Sequence, residues 1–471
     1  MISIDGTGWT YANAEEPSLT DVTLCVTPGE FVVLCGASGS GKSTALRLMN
    51  GLIPHFHEGT LTGAVQVDGL KTATARLDEL GLRTGTVLQH PRRQFFTDSA
   101  GEEVAFALEN FGYEPAVVHA RVDAALTALA ACLPVAARLR LLSGGQQQQV
   151  ALAAASAHEP DILLLDEPSS NLDADAVQRL TASLALLKAR GMTIVVAEHR
   201  LRYLRGILDR VVVMREGRTE VQWSAQQFRA LPDEDLAREG LRGEARPVDL
   251  PELAAAGGSV ADPATKGGPS TGALQLADIR CRLAGRTVLD LDHVAFAAGT
   301  VTAIRGANGA GKSTLARVVT GLQSCPGNVR LDGRKLSRRA RQRASAIVMQ
   351  DVQRQLFTDS VDAEVRLAAA RNDIDVDQAL RELDLTRFAD RHPLSLSGGQ
   401  QQRLVIAAAR ISRRRIVVFD EPSSGVDQRH LQSISDQIRQ VAHEGAVVLL
   451  ISHDEDLLAL AADAQLTLRP L

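Results

Sequence analysis

Several features are absent from this 471-residue chain, and each absence removes a class of function. No stretch approaches the ~18 to 20 consecutive apolar residues that cross a bilayer, and Met1-Ile2-Ser3-Ile4-Asp5 has neither the charged nor the apolar region of a signal peptide. The expected setting is therefore the cytosol, or a membrane reached only through partners. The five cysteines (Cys25, Cys35, Cys132, Cys281, Cys325) are odd in number and show no C-x-x-C or Cys/His ligand spacing. This excludes a disulfide framework and an iron–sulfur or zinc domain, leaving buried thiols in a reducing compartment. Nor is there a surplus of positive charge: Lys+Arg 51 against Asp+Glu 56 gives −5, so no nucleic-acid partner is expected. The length suits two domains, each able to bury its own core.

What is present is a repeat. Leu142-Ser143-Gly144-Gly145-Gln146 returns as Leu396-Ser397-Gly398-Gly399-Gln400, and each copy sits inside the same succession of motifs. Phe31-Val32-Val33-Leu34-Cys35 runs into Gly36-Ala37-Ser38-Gly39-Ser40-Gly41-Lys42-Ser43-Thr44, and Val301-Thr302-Ala303-Ile304 leads to Gly306-Ala307-Asn308-Gly309-Ala310-Gly311-Lys312-Ser313-Thr314. This is strand, phosphate loop and helix: glycines turn consecutive backbone N–H groups onto phosphate oxygens, the lysine reaches the β/γ-phosphates, and the serine hydroxyl can ligate Mg²⁺. Ile162-Leu163-Leu164-Leu165-Asp166-Glu167 and Ile416-Val417-Val418-Phe419-Asp420-Glu421 read as buried parallel strands that bring two carboxylates to a ligand-binding edge. Asp166 and Asp420 are the expected Mg²⁺ carboxylates, and Glu167 and Glu421 the general bases for a hydrolytic water. Gln89 and Gln350 follow a strand end, where the amide can meet the metal or the attacking water. His199 and His453 end later strands and are read as γ-phosphate contacts. From Ser143 to Asp166 to His199 the spacings match those from Ser397 to Asp420 to His453, so this block is duplicated without insertion. Ser143-Gly144-Gly145 at a helix start offers a second phosphate-binding geometry, or simply a helix cap. The Ala- and Leu-rich pattern from Glu114 to Leu139 predicts helices inserted into an α/β core. Between about Gly240 and Gly272 the composition turns to Gly, Pro, Ala and Ser, a linker. The fold class is thus α/β, with two tandem phosphate-loop domains at 1–239 and 273–471 joined through 240–272.

In this order, twice, the motifs resemble the nucleotide-binding domains of the ABC ATPase family, over nearly the whole chain except the linker. The resemblance implies ATP and Mg²⁺ as cofactors and head-to-tail pairing of the two domains within the chain. One site would then combine Lys42, Ser43, Gln89, Asp166, Glu167 and His199 with Ser397 and Gly399. The other would combine Lys312, Ser313, Gln350, Asp420, Glu421 and His453 with Ser143 and Gly145. The phosphate-loop contacts Gly36, Ser38, Gly39, Gly41 and Thr44, and Gly306, Asn308, Gly309, Gly311 and Thr314, complete the ATP-binding set. Family members stack adenine on an aromatic residue upstream of the phosphate loop. Tyr11 fits that role in the first domain, whereas Ile279-Arg280-Cys281-Arg282-Leu283 in the second has none. The site built on Lys312 is therefore expected to bind ATP more weakly. Gln149 stands where the second half has Arg403.

Gln89-His90-Pro91-Arg92-Arg93-Gln94-Phe95-Phe96-Thr97-Asp98-Ser99 and Gln350-Asp351-Val352-Gln353-Arg354-Gln355-Leu356-Phe357-Thr358-Asp359-Ser360 resemble the Q-loops of energy-coupling-factor (ECF) importer ATPases. Gly51-Leu52-Ile53-Pro54-His55-Phe56 resembles fused members of that group. His55 and His57 are read as polar loop residues, without the carboxylate or cysteine neighbours of a metal site. The implied partners are a membrane T-component, docking on the Q-loop surface through the exposed apolar pairs Phe95-Phe96 and Leu356-Phe357, and an S-component that captures a vitamin or metal ion. The implied place is the cytoplasmic face of the membrane, peripherally. Two other readings stand beside it. A soluble tandem ATPase acting on ribosomes or nucleic acid would draw on the basic runs Arg330 to Arg343 and Arg413-Arg414-Arg415, and another ABC importer class would use the same motor.

Overall fold

The computed structural model describes every residue except 13, 131–132, 171, 233–234, 237–238, 240, 242–247, 254–272, 284, 370–375, 383–384, 397, 424–427 and 471. Cys132, Asn171, Ser397, Ser424-Gly425-Val426-Asp427 and most of the 240–272 linker therefore lie outside the described residues. The chain divides into two compact units, Met1–Glu244 and Ala245–Leu471.

Among the described residues the first unit has ten strands: β1 Ile2–Tyr11, β2 Leu19–Val26, β3 Phe31–Cys35, β4 Gly59–Val67, β5 Leu70–Lys71, β6 Thr84–Val87, β7 Ile162–Asp166, β8 Thr193–Ala197, β9 Arg210–Arg215 and β10 Arg218–Ser224. They form an antiparallel sheet of order β2-β1-β4-β5 and a second sheet of order β10-β9-β3-β8-β7-β6, parallel from β9 to β6. Every residue of β3 and β8 is buried, which is why these strands read as unbroken apolar runs rather than alternating ones. Alternation still decides which core each side chain joins. Phe31, Val33 and Cys35 face the core shared with the helices, while Val32 and Leu34 face the one shared with the antiparallel sheet. Between β6 and β7 come the helices Ala100–Asn110, Pro115–Leu129 and Gly144–Ser156, so the expected helical insertion is present.

The second unit repeats the plan with β11 Leu274–Leu283, β12 Arg286–Phe296, β13 Val301–Arg305, β14 Asn328–Leu331, β15 Arg334–Lys335, β16 Ser345–Val348, β17 Ile416–Asp420, β18 Val447–Ile451 and β19 Ala464–Thr467. The sheets have orders β12-β11-β14-β15 and β16-β17-β18-β13-β19. Its core splits the same way, Val417 and Phe419 to one side and Ile416 and Val418 to the other. Part of the expected linker belongs to this unit. Leu253 N–H donates to the Gln465 carbonyl at 2.7 Å, Thr467 N–H to the Glu252 carboxylate at 2.7 Å, and Leu250 and Leu253 pack on its cores. A single bridge, Glu252 to Gln465, leaves no alternating pattern for sequence reading to find.

Candidate functional site

Each phosphate loop leaves a buried central strand and turns into a helix, Lys42–Met49 or Lys312–Val319. Two glycines make each turn possible. A Cβ on Gly36 would lie 2.1 Å from the Met214 carbonyl and one on Gly306 2.4 Å from that of Leu468; both have φ near +138°, at 137° and 139°. Around Gly39 and Gly309, by contrast, nothing lies within 4 Å of an added Cβ, so the loop is open at the place where phosphate oxygens would enter. Lys42 Nζ donates to the Gly36 and Ala37 carbonyls, both at 2.9 Å, and Lys312 Nζ to those of Gly306 and Ala307 at 2.7 and 3.1 Å. The loops thus hold the ammonium groups over their own mouths. Ser38 and Asn308 stand within the loops, and Thr44 and Thr314 in the first turns of the helices.

The strand-end carboxylates meet these loops. Ser43 Oγ donates to Asp166 Oδ1 at 2.9 Å, and Ser313 makes the matching bond to Asp420. One residue on, Glu167 and Glu421 have left-handed backbones, φ 45° and 52°, a conformation that costs a non-glycine residue of order 1 kcal/mol. Their N–H groups donate to the Ala197 and Ile451 carbonyls, each at 2.8 Å, which fixes both residues at the edge of the sheet. Glu167 accepts from Gln89 Nε2 at 2.7 Å and from Ser170 Oγ at 3.2 Å, and lies 3.1 Å from His199 Nε2. Sequence reading placed Gln89 on the metal or the water; here its amide holds the carboxylate that would activate that water. The second unit is looser: His453 Nε2 stands 3.8 Å from Glu421, and Gln350 is exposed.

Electrostatics separate the neighbouring acids. Burial, then the adjacent Glu167, pushes Asp166 up to about 6 against the pull of Ser43. Burial also pushes Glu167 upward, but the His199 hydrogen bond and charge, Lys42 and Gln89 outweigh it and hold the carboxyl low, in its ionised form. Asp420 is raised by burial, opposed by Ser313 and Arg317.

Three features escaped sequence reading. Glu198, the residue before His199, is fully buried, accepts from Ser169 Oγ at 2.8 Å and from the backbone of His199 and Arg200, and is raised to about 7 by burial and by Glu167. Its counterpart in the repeat is Ser452. The second feature is a pair of buried glutamates behind the Q-loops. Glu103 Oε2 accepts from Phe96 N–H, Thr97 N–H and Thr97 Oγ, and Glu364 Oε2 from the same three groups of Phe357 and Thr358. These bonds divide the apolar pairs, which were expected to be exposed together. Phe95 and Leu356 pack inward, while Phe96 is 74% and Phe357 73% exposed.

The third feature concerns Tyr11. Its hydroxyl lies 3.4 Å from Thr44 Oγ1 and accepts from Arg47 Nη1 at 3.1 Å, so it borders the helix that leaves the phosphate loop. His57 is more than a polar loop residue, because its ring meets Tyr11 edge-on at 5.7 Å; His55 shares a 2.9 Å hydrogen bond with the Thr72 carbonyl. In the second unit the pairings Ile2↔Val67 and Leu274↔Leu331 put Leu283 at the position of Tyr11. The bordering loop is also shorter. Thirteen residues run from Gly51 through Gly63 and seven from Gly321 through Gly327, and β14 pairs with β11 only over Leu274 to Ala277, leaving the far half of β11 without the strand that flanks Tyr11.

Ser143 caps its helix, accepting from Gln146 N–H at 3.3 Å while its own N–H donates to Gln146 Oε1 at 2.9 Å. A Cβ on Gly145 would meet Ala176 at 2.7 Å, whereas Gly399 has open space. Nothing in the structure explains the exchange of Gln149 for Arg403.

A phosphate loop opposed by a strand-end Asp-Glu pair, with a helical insertion ending in a capped LSGGQ helix, defines an ATPase of the ATP-binding-cassette class. The chain belongs to the ABC transporter family, which matches it twice, at residues 19–170 and 289–424. A Treponema denticola protein provisionally described as an ABC transporter ATP-binding protein is 39% identical over 457 residues, covering 96% of this chain and 92% of that protein. One from Streptomyces coelicolor with the same description is 33% identical over 515 residues, covering 98% and 90%. Among solved structures, cbiO1 of Clostridium perfringens, part of the ABC transporter complex cbiONQ, is 26% identical with a TM-score of 0.44, covering 50% of this chain and 92% of that one.

With Lys42 and Lys312 replaced by alanine in turn, the site retaining Tyr11 should bind ATP more tightly by about tenfold at most, the value of one aromatic stack; equal affinities would refute the asymmetry. For Glu198 the folded value is raised, so the folded chain keeps a proton that the unfolded chain releases above the ordinary range near 4.5. The resulting destabilisation grows from there to about pH 7, persists above it, and vanishes as pH falls. Glu198→Gln should therefore raise the melting temperature at pH 8 relative to the parent chain and gain nothing at pH 4; an equal shift at both would exclude the assignment.

Proposed function

We propose that the chain is the ATP-hydrolysing motor subunit of an ECF-type importer, peripheral at the cytoplasmic membrane face, energising uptake of a vitamin or metal ion through separate membrane components. The supporting observation is the duplicated Q-loop with its buried glutamate clamp, which presents Phe96 and Phe357 outward at matching positions of the two units. Phe96 stacks on the half-exposed Phe106 with ring centroids 4.8 Å apart and planes 10° from parallel, forming an apolar platform in the first unit. Coupling helices of a membrane T-component are the occupants assigned to these two surfaces.

In this reading the phosphate loop and lysine of each unit hold the triphosphate, and the serine–aspartate pair holds Mg²⁺. Ser43 Oγ and Asp166 Oδ1, 2.9 Å apart, are hard oxygen donors of the kind that bind Mg²⁺ beside phosphate ligands. When bound, the ion neutralises charge on the β- and γ-phosphates. Glu167 takes the proton of the attacking water, and the water must enter where the Gln89 amide now sits. His199 keeps Glu167 oriented and reaches the γ-phosphate. Ser143 and Ser397, with Gly145 and Gly399, each complete the site of the opposite unit, so that ATP favours a closed state and hydrolysis releases it. The difference in free energy between those states is what the membrane partner receives.

Replacing Phe96 and Phe357 by alanine should leave ATP hydrolysis by the isolated chain unchanged and remove the stimulation seen on reconstitution with cognate membrane components. Full stimulation of the double variant would overturn the docking assignment.

A further inference from the structure

The arginine runs of the second unit come from sequence segments about seventy residues apart, and the fold brings them to one end of its parallel sheet. The β14–β15 hairpin pairs Arg330 with Lys335 and Leu331 with Arg334. The helix Arg338–Ala344 follows directly and delivers Ser345 to the start of β16. The turn before β17 then joins both: Arg414 Nη1 donates to the Arg343 carbonyl, and Arg415 Nη2 lies 2.9 Å from Asp332 Oδ2. Residues 328–345 and 412–415 together hold ten Arg or Lys and a single acid, Asp332, a balance of +9 in a chain whose total is −5. Arg330, Arg334, Lys335, Arg339, Arg343 and Arg413 are exposed.

The first unit shows that the fold does not require this charge. Its equivalent hairpin pairs Gln66 with Lys71, and its equivalent helix, Leu77–Arg83, leads into β6. Residues 64–84 and 158–161 hold Lys71, Arg76 and Arg83 against Asp68, Asp78, Glu79, Glu159 and Asp161, a balance of −2. There, Arg83 bridges Asp68 and Asp161. The same architecture thus carries a self-neutralised surface in one unit and an almost uncompensated basic one in the other.

We infer that this basic face of the second unit binds the anionic headgroups of a phospholipid surface. The inference rests on the membrane-associated reading above and adds a contact that needs no protein partner. Its chemistry favours headgroups over single-stranded nucleic acid, since neither segment contains an aromatic residue on which bases could stack. Beside the arginines there is an apolar foothold: Leu322 is 43% exposed, and its carbonyl accepts from Arg338 Nη2 at 3.2 Å. Clustered basic side chains attract anionic bilayers additively, and salt screens that attraction within a Debye length of about 8 Å at physiological ionic strength.

The test is flotation of the purified full chain with vesicles of phosphatidylcholine alone, with vesicles containing added phosphatidylglycerol, and with duplex DNA or RNA as competitor. The expected result is flotation with the anionic vesicles only, released by high salt. A chain carrying Arg334→Glu, Arg339→Glu and Arg343→Glu should bind them more than tenfold more weakly while hydrolysing ATP at the parent rate. Flotation that is equal on both vesicles, unchanged in the triple variant, or absent while nucleic acid is bound overturns the inference. Stimulation of ATP hydrolysis by membrane components is scored separately. Its persistence alongside failed flotation removes the lipid contact alone, and its absence removes the importer reading.

Discussion

The structure depends on holding three carboxyl groups where water is scarce while keeping one of them, Glu167, ionised. Asp166 and Glu167 sit at the end of a strand whose other residues are wholly buried, beside a third acid, Glu198, that is buried too. Three such charges in a low-dielectric edge would repel one another and lose their hydration. The fold resolves this by giving them unequal surroundings. Glu167 receives the amide of Gln89, the imidazole of His199 and the field of Lys42, while Asp166 and Glu198 are left with raised proton affinity. The left-handed backbone of Glu167 belongs to the same arrangement, because it lets consecutive residues direct their carboxylates to different partners. A phosphate loop alone would bind nucleotide; the ordering of these acids leaves Glu167 in the form a general base would need.

The two units keep this arrangement and diverge around it. Strand order, the glycine cradle, the φ of the proposed general base and the glutamate clamp behind each Q-loop are shared. The wall beside Tyr11, the acid at Glu198 and the charge on the hairpin flank are not. Divergence therefore falls on the strand wall beside Tyr11, on the acid buried behind Glu167 and on the hairpin flank, and identity falls on the phosphate loop and the strand-end carboxylates. The retained pieces are bound by geometry that tolerates little change, since a Cβ at Gly36 or Gly306 would collide with backbone.

Much of this was legible in the sequence because the informative residues are local. A glycine-rich loop after an apolar strand, and an apolar strand ending in Asp-Glu, carry their chemistry in consecutive positions, so Lys42, Ser43, Asp166 and Glu167 could be named before their contacts were known. Residues acting across the fold were not visible in that way. Glu103 lies seven residues from Phe96 on a helix, and nothing in its surroundings marks it as the acceptor that turns one phenylalanine in and the other out. Glu198 looks like an ordinary strand-end acid until Ser169, Tyr203 and Glu167 are seen to enclose it. The attachment of 248–253 to β19 was hidden because a single bridge has no period. The two basic runs could not be joined from sequence because their convergence is a property of the hairpin and the turn before β17, not of spacing.

We propose that neither unit is a complete ATPase and that each LSGGQ serves the nucleotide held by the other. The most direct measurement uses a chain carrying Glu167→Gln and Glu421→Gln, with ATP trapping followed separately at the Lys42 and Lys312 sites. The account predicts that this chain retains ATP without turnover at both sites, and that adding Ser143→Arg abolishes trapping at the Lys312 site while sparing the Lys42 site. Continued turnover in the parent double variant, or loss at the Lys42 site on substituting Ser143, would contradict it.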